Sequence, residues 1–592
     1  MRIAILNRDR CQPIKCGTEC IKFCPRVRTG DETVVMGIDN KVIISEELCI
    51  GCGICVNKCP FDAIMIIGLP EALKEPTHRF GQNGFALYGL PVPQQGKVTG
   101  ILGPNGIGKT TAVQILSGTL KPNLGRDATW DEVLEYYAGS AMYDFLKRVG
   151  DGEIKVSQKP QYIDKIPKSF SGTVSELLDA VDERGMLDEL TQRLSIDMIM
   201  DRNISDLSGG ELQRVAITAA VSKKADFYFF DEVSPYLDIY QRINAAMLIQ
   251  EVAQESSVIV VEHDLAMLDL LADTVHIAYG TPAGYGVITH PKSVRAGINE
   301  YLKGFLSEEN VRVRPYAIEF EMHAPRNRKD IPVLLKYGEL VKDYSKIDKK
   351  GFRFTTKGGE IRHGSVVGVV GPNGIGKSTF VKMLAGAIEP TEGELEIENI
   401  KISYKPQYLK ADITMRVQDL LRSINSSFDS SYYQNEIINP LQLTPILDRQ
   451  VTDLSGGELQ RVGIAACLSK KADMYILDEP SAHLDVEQRA LTTTTIRRFA
   501  ENNNVAALVV DHDIYMIDLL SEELMVFEGE EGVHGDMYGP YNMRDGMNHF
   551  LRNLDVTFRR DGDTHRPRVN KKGSRLDREQ KSKGDYYYMS EE

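Results

Sequence analysis

The sequence predicts an α/β protein: two repeated halves, each a mostly parallel sheet covered by helices, behind a small α+β module rich in cysteine. Three observations carry this. The run Gly103-Pro104-Asn105-Gly106-Ile107-Gly108-Lys109-Thr110 returns as Gly371-Pro372-Asn373-Gly374-Ile375-Gly376-Lys377-Ser378. Leu207-Ser208-Gly209-Gly210-Glu211 returns as Leu454-Ser455-Gly456-Gly457-Glu458. Eight cysteines precede both, between Cys11 and Cys59.

A chain of 592 residues is too long for one core, and the motif positions divide it. The expected parts are a cysteine domain at 1–75, a first half at 76–292, a connection at 293–330, a second half at 331–540 and a basic segment and tail at 541–592. The composition, 42% hydrophobic and 26% charged, is that of a folded globular chain. No window approaches the ~18 consecutive apolar residues of a membrane span. The start, Met1 to Asp9, meets charge too early for a signal peptide. A cytoplasmic location without membrane contact is therefore expected, where clustered thiols bind metal more readily than they form disulfides.

In the first module, Cys49-x2-Cys52-x2-Cys55-x3-Cys59-Pro60 has the spacing of bacterial two-cluster ferredoxins. Its partner run is looser: Cys11-x4-Cys16-x3-Cys20-x3-Cys24-Pro25. Likeness to those ferredoxins, whose fourth cysteine crosses over, implies two [4Fe–4S] clusters. One takes Cys11, Cys16, Cys20 and Cys59, and the other Cys49, Cys52, Cys55 and Cys24. Paired zinc sites are the competing reading, disfavoured by the x2-x2-x3-Pro run. Cys467, far downstream in a helical pattern, is an expected core thiol.

Each half then alternates short β-branched or aromatic runs with helical patterns, as parallel sheets do. Val98 to Leu102 leads into the glycine loop, and Thr111 to Leu120 reads helical. Phe227 to Phe230 and Val258 to Glu262 are buried-strand patterns. The halves stay nearly in register except before Gln161, where the first carries about 22 extra residues. There, around 127–150, Thr129-x2-Glu132 is a capping box, and a helix–loop–helix is expected. The lone Trp130 in it favours a docking role. Ser293 to Lys329, with Pro315 and Pro325, reads as connection rather than helix.

The net charge of -14 excludes general nucleic-acid avidity, but it averages unlike regions. Residues 1–30 hold seven basic side chains against Asp9 and Glu19. Phe550 to Lys583 holds eleven Lys or Arg against five Asp or Glu. These are expected as two basic contact zones, partly compensated at the N-terminus by cluster charge.

A glycine loop between strand and helix cradles phosphate, because glycines let backbone N–H groups approach and the helix start favours an anion. Lys109 and Lys377 would reach the β- and γ-phosphates; Thr110 and Ser378, followed by Thr111 and Thr379, would hold Mg²⁺. Asp231-Glu232 and Asp478-Glu479 end apolar strands, which suits Mg²⁺ binding by the aspartate and orientation or activation of water by the glutamate. His263 and His512 end further strands, within reach of the γ-phosphate. Ser208 and Ser455 open helices with glycine N–H groups, a second anion site in each half.

Those serine–glycine elements resemble the signature of ATP-binding cassette domains, in which one half closes over ATP held by the other. The resemblance pairs Lys109, Thr110, Gln161, Asp231, Glu232 and His263 with Ser455 and Gly457. It pairs Lys377, Ser378, Gln407, Asp478, Glu479 and His512 with Ser208 and Gly210. Asp238 and Asp485 match the loop that crosses the interface. Phe80 and Tyr344 are expected to stack on adenine, with Phe85 and Phe352 as rivals. Val233 stands where the second half has Pro480.

Across its length the chain resembles subfamily E of the ATP-binding cassette proteins, the RNase L inhibitor family of archaea and eukaryotes. The implied architecture is two fused cassette domains behind a ferredoxin-like two-cluster domain. The implied activity is Mg-dependent ATP hydrolysis to ADP and phosphate that splits ribosomes into subunits after termination or rescue. The small ribosomal subunit with its rRNA, and a release factor or rescue-factor relative, are the implied partners. A monomer is expected, since one chain holds both halves. The alternatives are an energising subunit of a membrane transporter and an ATP-gated redox protein.

Overall fold

The computed structural model describes residues 2–587, except 9, 38–39, 46–47, 69–74, 82, 321–330, 346–350, 396, 398–399 and 408–413. Pro325 lies outside the described residues. The N-terminal part pairs strand Arg2–Leu6 antiparallel with Ile64–Gly68. A hairpin of Val34–Met36 and Val42–Ile44 and three short helices complete it. Its core is small: Ala4, Leu6, Val34, Val42, Ile44, Ala63 and Ile64 pack with Cys11, Cys20, Cys24 and Cys55. So few apolar side chains are a thin core, and bound clusters would supply the missing cross-links.

The two halves repeat one sheet strand for strand. In the first, the order runs His78–Arg79, Ala86–Tyr88, Tyr285–Ile288, Thr274–Thr281, Val98–Leu102, Ser257–Val261, Phe227–Asp231, Val156–Lys159. In the second it runs Val341–Asp343, Arg353–Thr356, His534–Asn542, Glu523–Glu530, Val366–Val370, Ala506–Val510, Met474–Asp478, Ile402–Lys405. The last five strands of each order are parallel, and their middle members are buried throughout. Burial on both faces is why these strands read as continuous apolar runs. Their carboxyl ends lie together, and there the motif residues collect.

Helices Trp130–Tyr136 and Tyr143–Gly150 occupy the extra segment, and Thr129 and Glu132 form a reciprocal capping box. Val133, Tyr137, Met142 and Leu146 are buried in one core with Val113, Leu116, Phe227 and Phe229. Trp130 packs on the same core, and a Cβ added at Gly150 would lie 3.1 Å from its ring. Its packing is internal, which removes the reason for reading Trp130 as a docking residue.

The connection read without a helix contains one, Val294–Lys303. Val294, Ile298, Tyr301 and Leu302 bury one face of it against the first half, while both prolines lie further on. The apolar stripe outweighs the mixed charges. A second correction concerns the C-terminal segment. Arg560 pairs with Asp518, Arg566 and Arg568 with Asp269, and Lys581 with Asp555 and Asp577. Much of its positive charge therefore closes the molecule rather than forming a free basic zone; Lys571, Lys572, Arg575 and Arg578 remain exposed. At the N-terminus, Arg10, Lys15, Lys22 and Arg28 do face solvent.

Candidate active sites

Each glycine loop joins a buried strand to a helix, Lys109–Leu116 or Lys377–Leu384. Gly108 at φ +89° and Gly376 at φ +96° cap these helices from the left-handed region. A side chain at Gly108 would also strike Phe85, at 2.6 Å from the added Cβ. The two lysines are folded back alike. Lys109 Nζ donates to Gly103 O at 2.6 Å and Pro104 O at 3.0 Å; Lys377 Nζ donates to Gly371 O and Pro372 O, both at 2.7 Å. Asn105 and Asn373 lie at the edge of the same contact, 3.5 and 3.4 Å away. Burial pushes both amines down to about 8.

Opposite each lysine stands a strained glutamate. Glu232 has φ +53° and Glu479 φ +47°, left-handed conformations that cost a non-glycine residue about 1–2 kcal/mol. Gln161 Nε2 donates to Glu232 Oε1, and Gln407 Nε2 to Glu479 Oε1, each at 2.7 Å. His263 Nε2 lies 4.0 Å from the Glu232 carboxylate and 3.1 Å from Lys109 Nζ. His512 Nε2 lies 3.7 Å from Glu479 and 3.4 Å from Lys377. Burial, then the adjacent lysine, holds both imidazoles well below their ordinary pKa and so neutral. Burial pushes Asp231 up to about 7 and Asp478 upward. A buried carboxylate beside an exposed hydroxyl, Thr110 or Ser378, is a hard-oxygen donor set that suits Mg²⁺.

Three supporting residues in each half escaped the sequence reading. Lys159 and Lys405, each 1% exposed, donate to the main chain of the carboxylate pairs: Lys159 to Asp231 O at 2.8 Å and Glu232 O at 2.7 Å, Lys405 to Asp478 O at 2.8 Å. Gln213 and Gln460, from the signature helices, reach Glu232 O and Glu479 O at 2.8 and 2.6 Å. Arg202 and Arg449 pair with Glu211 and Glu458 at 2.6 and 2.7 Å. The available signal was the repeat itself, since all three recur at matching places in both halves.

Ser208 and Ser455 cap helices Gly209–Ser222 and Gly456–Ser469, with glutamates completing the boxes. Across the interface, Asn373 N–H donates to Asp238 Oδ2 at 2.9 Å. Asp485 supplies the largest charge acting on Lys109. The Tyr236 hydroxyl and His483 Nε2, one from each crossing loop, meet at 3.3 Å. Arg242 pairs with Asp264 of its own half and donates to His512 O of the other at 3.0 Å. Phe80 is 44% exposed and edge-on to His78, whereas Phe85 lies against the loop. Tyr344 and Phe352 stand 6.4 Å apart beside the second loop.

The thiols sort into sets. Cys20 is pushed up to about 11 by burial, with Cys16, Cys59 and Cys11 acting on it as neighbouring charges. Cys55, also raised to about 11 by burial, feels Cys49 and Cys52. Among the described residues no three such side chains converge on a single metal ion. A four-iron cluster spreads its ligands over a wider cage, and this looser grouping fits it better than zinc.

The family model described as "ABC transporter" matches residues 93–234 and 357–482. "Possible Fer4-like domain in RNase L inhibitor" matches 1–32, and "4Fe-4S binding domain" 42–65. An uncharacterized ABC transporter ATP-binding protein of Methanocaldococcus jannaschii is 52% identical over 100% of this chain and 98% of its own. The ABC transporter E family member 1 of Arabidopsis thaliana is 44% identical over 100% and 99%. The chain belongs to the RNase L inhibitor family, subfamily E of the ATP-binding cassette proteins. Among solved structures, the family's archaeal member in a model of ribosome-bound Pelota and ABCE1 matches 100% of this chain and 99% of that one, at 51% identity and TM-score 0.92. As a family member the chain carries two ATP-binding cassette domains and an N-terminal 4Fe–4S domain. No described helix is long and apolar enough to cross a membrane.

Proposed function

We propose that the protein is an ATP-driven ribosome recycling factor of the cytoplasm, acting as a monomer. In this reading, closure of two composite sites moves the iron–sulfur domain against the small subunit and a release or rescue factor. The observation that carries the reading is the whole-length match to a chain whose structure is titled as ribosome-bound together with Pelota.

Each site would work with its own half's residues and the other half's signature. Lys109 and Lys377 would exchange loop carbonyls for phosphate oxygens. Glu232 and Glu479, aimed by Gln161 and Gln407, would orient the attacking water, with neutral His263 and His512 beside them. Ser455 with Gly457, and Ser208 with Gly210, would close over the phosphates. Thr110 with Asp231, and Ser378 with Asp478, would hold Mg²⁺, which when bound neutralises phosphate charge. Cys11, Cys16, Cys20 and Cys59, and Cys24, Cys49, Cys52 and Cys55, would hold two [4Fe–4S] clusters that stiffen the thin N-terminal core.

The test is cosedimentation. The variant carrying Glu232→Gln and Glu479→Gln, with clusters intact, should sediment with small ribosomal subunits in ATP. Failure to do so removes the ribosome from the reading, and copurification with a polytopic membrane protein would replace it with transport.

A further inference from the structure

The two strained glutamates are followed by different residues, Val233 and Pro480. They are also backed by different carboxylates, because Glu262 precedes His263 whereas Asp511 precedes His512. These two differences meet in space. Val233 is fully buried, and its N–H needs an acceptor. Glu262 Oε2 provides one at 3.1 Å and also accepts from Ser234 N–H at 3.0 Å. Its Oε1 accepts from Ser234 Oγ at 2.8 Å and from the N–H groups of His263 and Asp264 at 2.8 and 3.0 Å.

Asp511, one methylene shorter, accepts from Ser481 N–H at 3.0 Å, Ser481 Oγ at 2.7 Å and Asp513 N–H at 2.8 Å. At the place of Val233 it faces Pro480, which has no N–H to satisfy. The longer acid thus occurs where there is one more donor, and the shorter acid where the ring has removed it. Beyond that turn, the first half adds a further bond that begins on the signature helix: Gln213 Nε2 donates to Val233 O at 2.8 Å.

We propose that Glu262 is a positioning residue of the first ATP site, fixing by hydrogen bonds the turn after Glu232 that the Pro480 ring fixes after Glu479. It acts through the backbone of the glutamate and not on the nucleotide. The turn after Glu232 is consequently held by side chains that can move, and one of its ties, through Gln213, begins on the helix whose first turn faces the other site. The second site's turn is held covalently. The inference rests on the reading of Glu232 and Glu479 as the water-orienting residues.

The experiment is a pair of swaps with steady-state ATP turnover as readout. In the Glu479→Gln background, Glu262→Asp should lower the remaining turnover about tenfold, the expected effect of an unpaired buried N–H, with the KM for ATP nearly unchanged. Adding Val233→Pro should restore it. In the Glu232→Gln background, Pro480→Val should lower turnover similarly, and adding Asp511→Glu should restore it. Absence of rescue in both halves, with the double Glu→Gln variant inactive, overturns the proposal while leaving the glutamates in place. Full turnover by the double Glu→Gln variant removes the glutamate assignment, and the proposal with it. Should Asp at position 262 unfold the first half, the second-half pair gives the same decision.

Discussion

Asn83 Oδ1 accepts from the backbone N–H of Ile44 at 2.7 Å, and Asn83 O accepts from Leu6 N–H at 3.2 Å. One residue of the loop between Phe80 and Phe85 is therefore bonded to two strands of the cysteine domain. Asn83 is 2% exposed with φ +56°, a conformation that asparagine tolerates better than most residues. Asn83→Ala should cost about 2–4 kcal/mol, from an unpaired buried N–H and left-handed strain. Asn83→Asp, which keeps the acceptor, should cost less. The measurement is the temperature at which cluster absorbance is lost, read beside the unfolding of the cassette halves. Equal midpoints for the two variants would rule out the Asn83 bond as the join.

Arg566 is the largest side chain buried to 0% exposure. It pairs with Asp269 of the first half and donates to the Tyr515 hydroxyl of the second at 2.7 Å, and its Nε donates to Asn299 Oδ1 at 3.2 Å. Removing one partner of such a pair leaves an uncompensated buried charge, so Arg566→Met should destabilise by about 3–5 kcal/mol. Adding Asp269→Asn should recover part of the loss, because the stranded carboxylate disappears. Limited proteolysis should show faster release of the C-terminal segment in the single variant than in the double.

A pH effect follows from His276, which is fully buried. Its Nδ1 lies 2.7 Å from Thr289 O and its Nε2 accepts from Val92 N–H at 3.2 Å. A proton on Nε2 would face that N–H, and burial lowers the imidazole to about 4. Since the unfolded histidine titrates near 6.5, the unfolded state binds more protons between those values. The contribution is present in full above about pH 6.5 and is lost as pH falls towards 4, by about 3 kcal/mol at most. His276→Asn should flatten this part of the stability–pH curve; an unaltered slope would show that other groups set it.

Legibility in the sequence followed what repeats. The loop lysines, the carboxylate pairs and the signature serines stand at strand ends or helix starts, where spacing alone locates them. The chain's reach across space was less legible. Nothing near Arg566 reveals Asp269, and the eleven basic residues around it suggested a free surface because charge counts ignore partners. Lys159 and Lys405 were passed over because a lysine two residues before a glutamine reads as surface, yet each carries its amine to a buried carbonyl. Val233 and Pro480 were visible as a difference, but the compensating difference at Glu262 and Asp511 lies about thirty residues on and gains meaning only when strands bring them together.

The helix pair at 127–150 shows how packing alters a test that the sequence suggests. As an appended lobe, it could be deleted with little effect on ATP turnover. Its Val133 and Leu146 are instead fully buried in the core beneath the first glycine loop, and Tyr137 shares a 2.8 Å hydrogen bond with Thr77. Deletion should therefore expose Phe227 and Val113 and unfold the first half, abolishing turnover there. Leu146→Ala alone should cost about 2–5 kcal/mol by leaving a cavity. Asp131 and Glu135 lie on the solvent side, and reversing their charge should move stability by no more than about 0.5 kcal/mol. Thermal unfolding of the three variants separates the cases: a deletion that melts like the unaltered protein would restore the appended-lobe view. If the surface variants keep their melting temperature, their cosedimentation with ribosomal subunits becomes the clean measure of whether this face docks at all, because no core defect then confounds it.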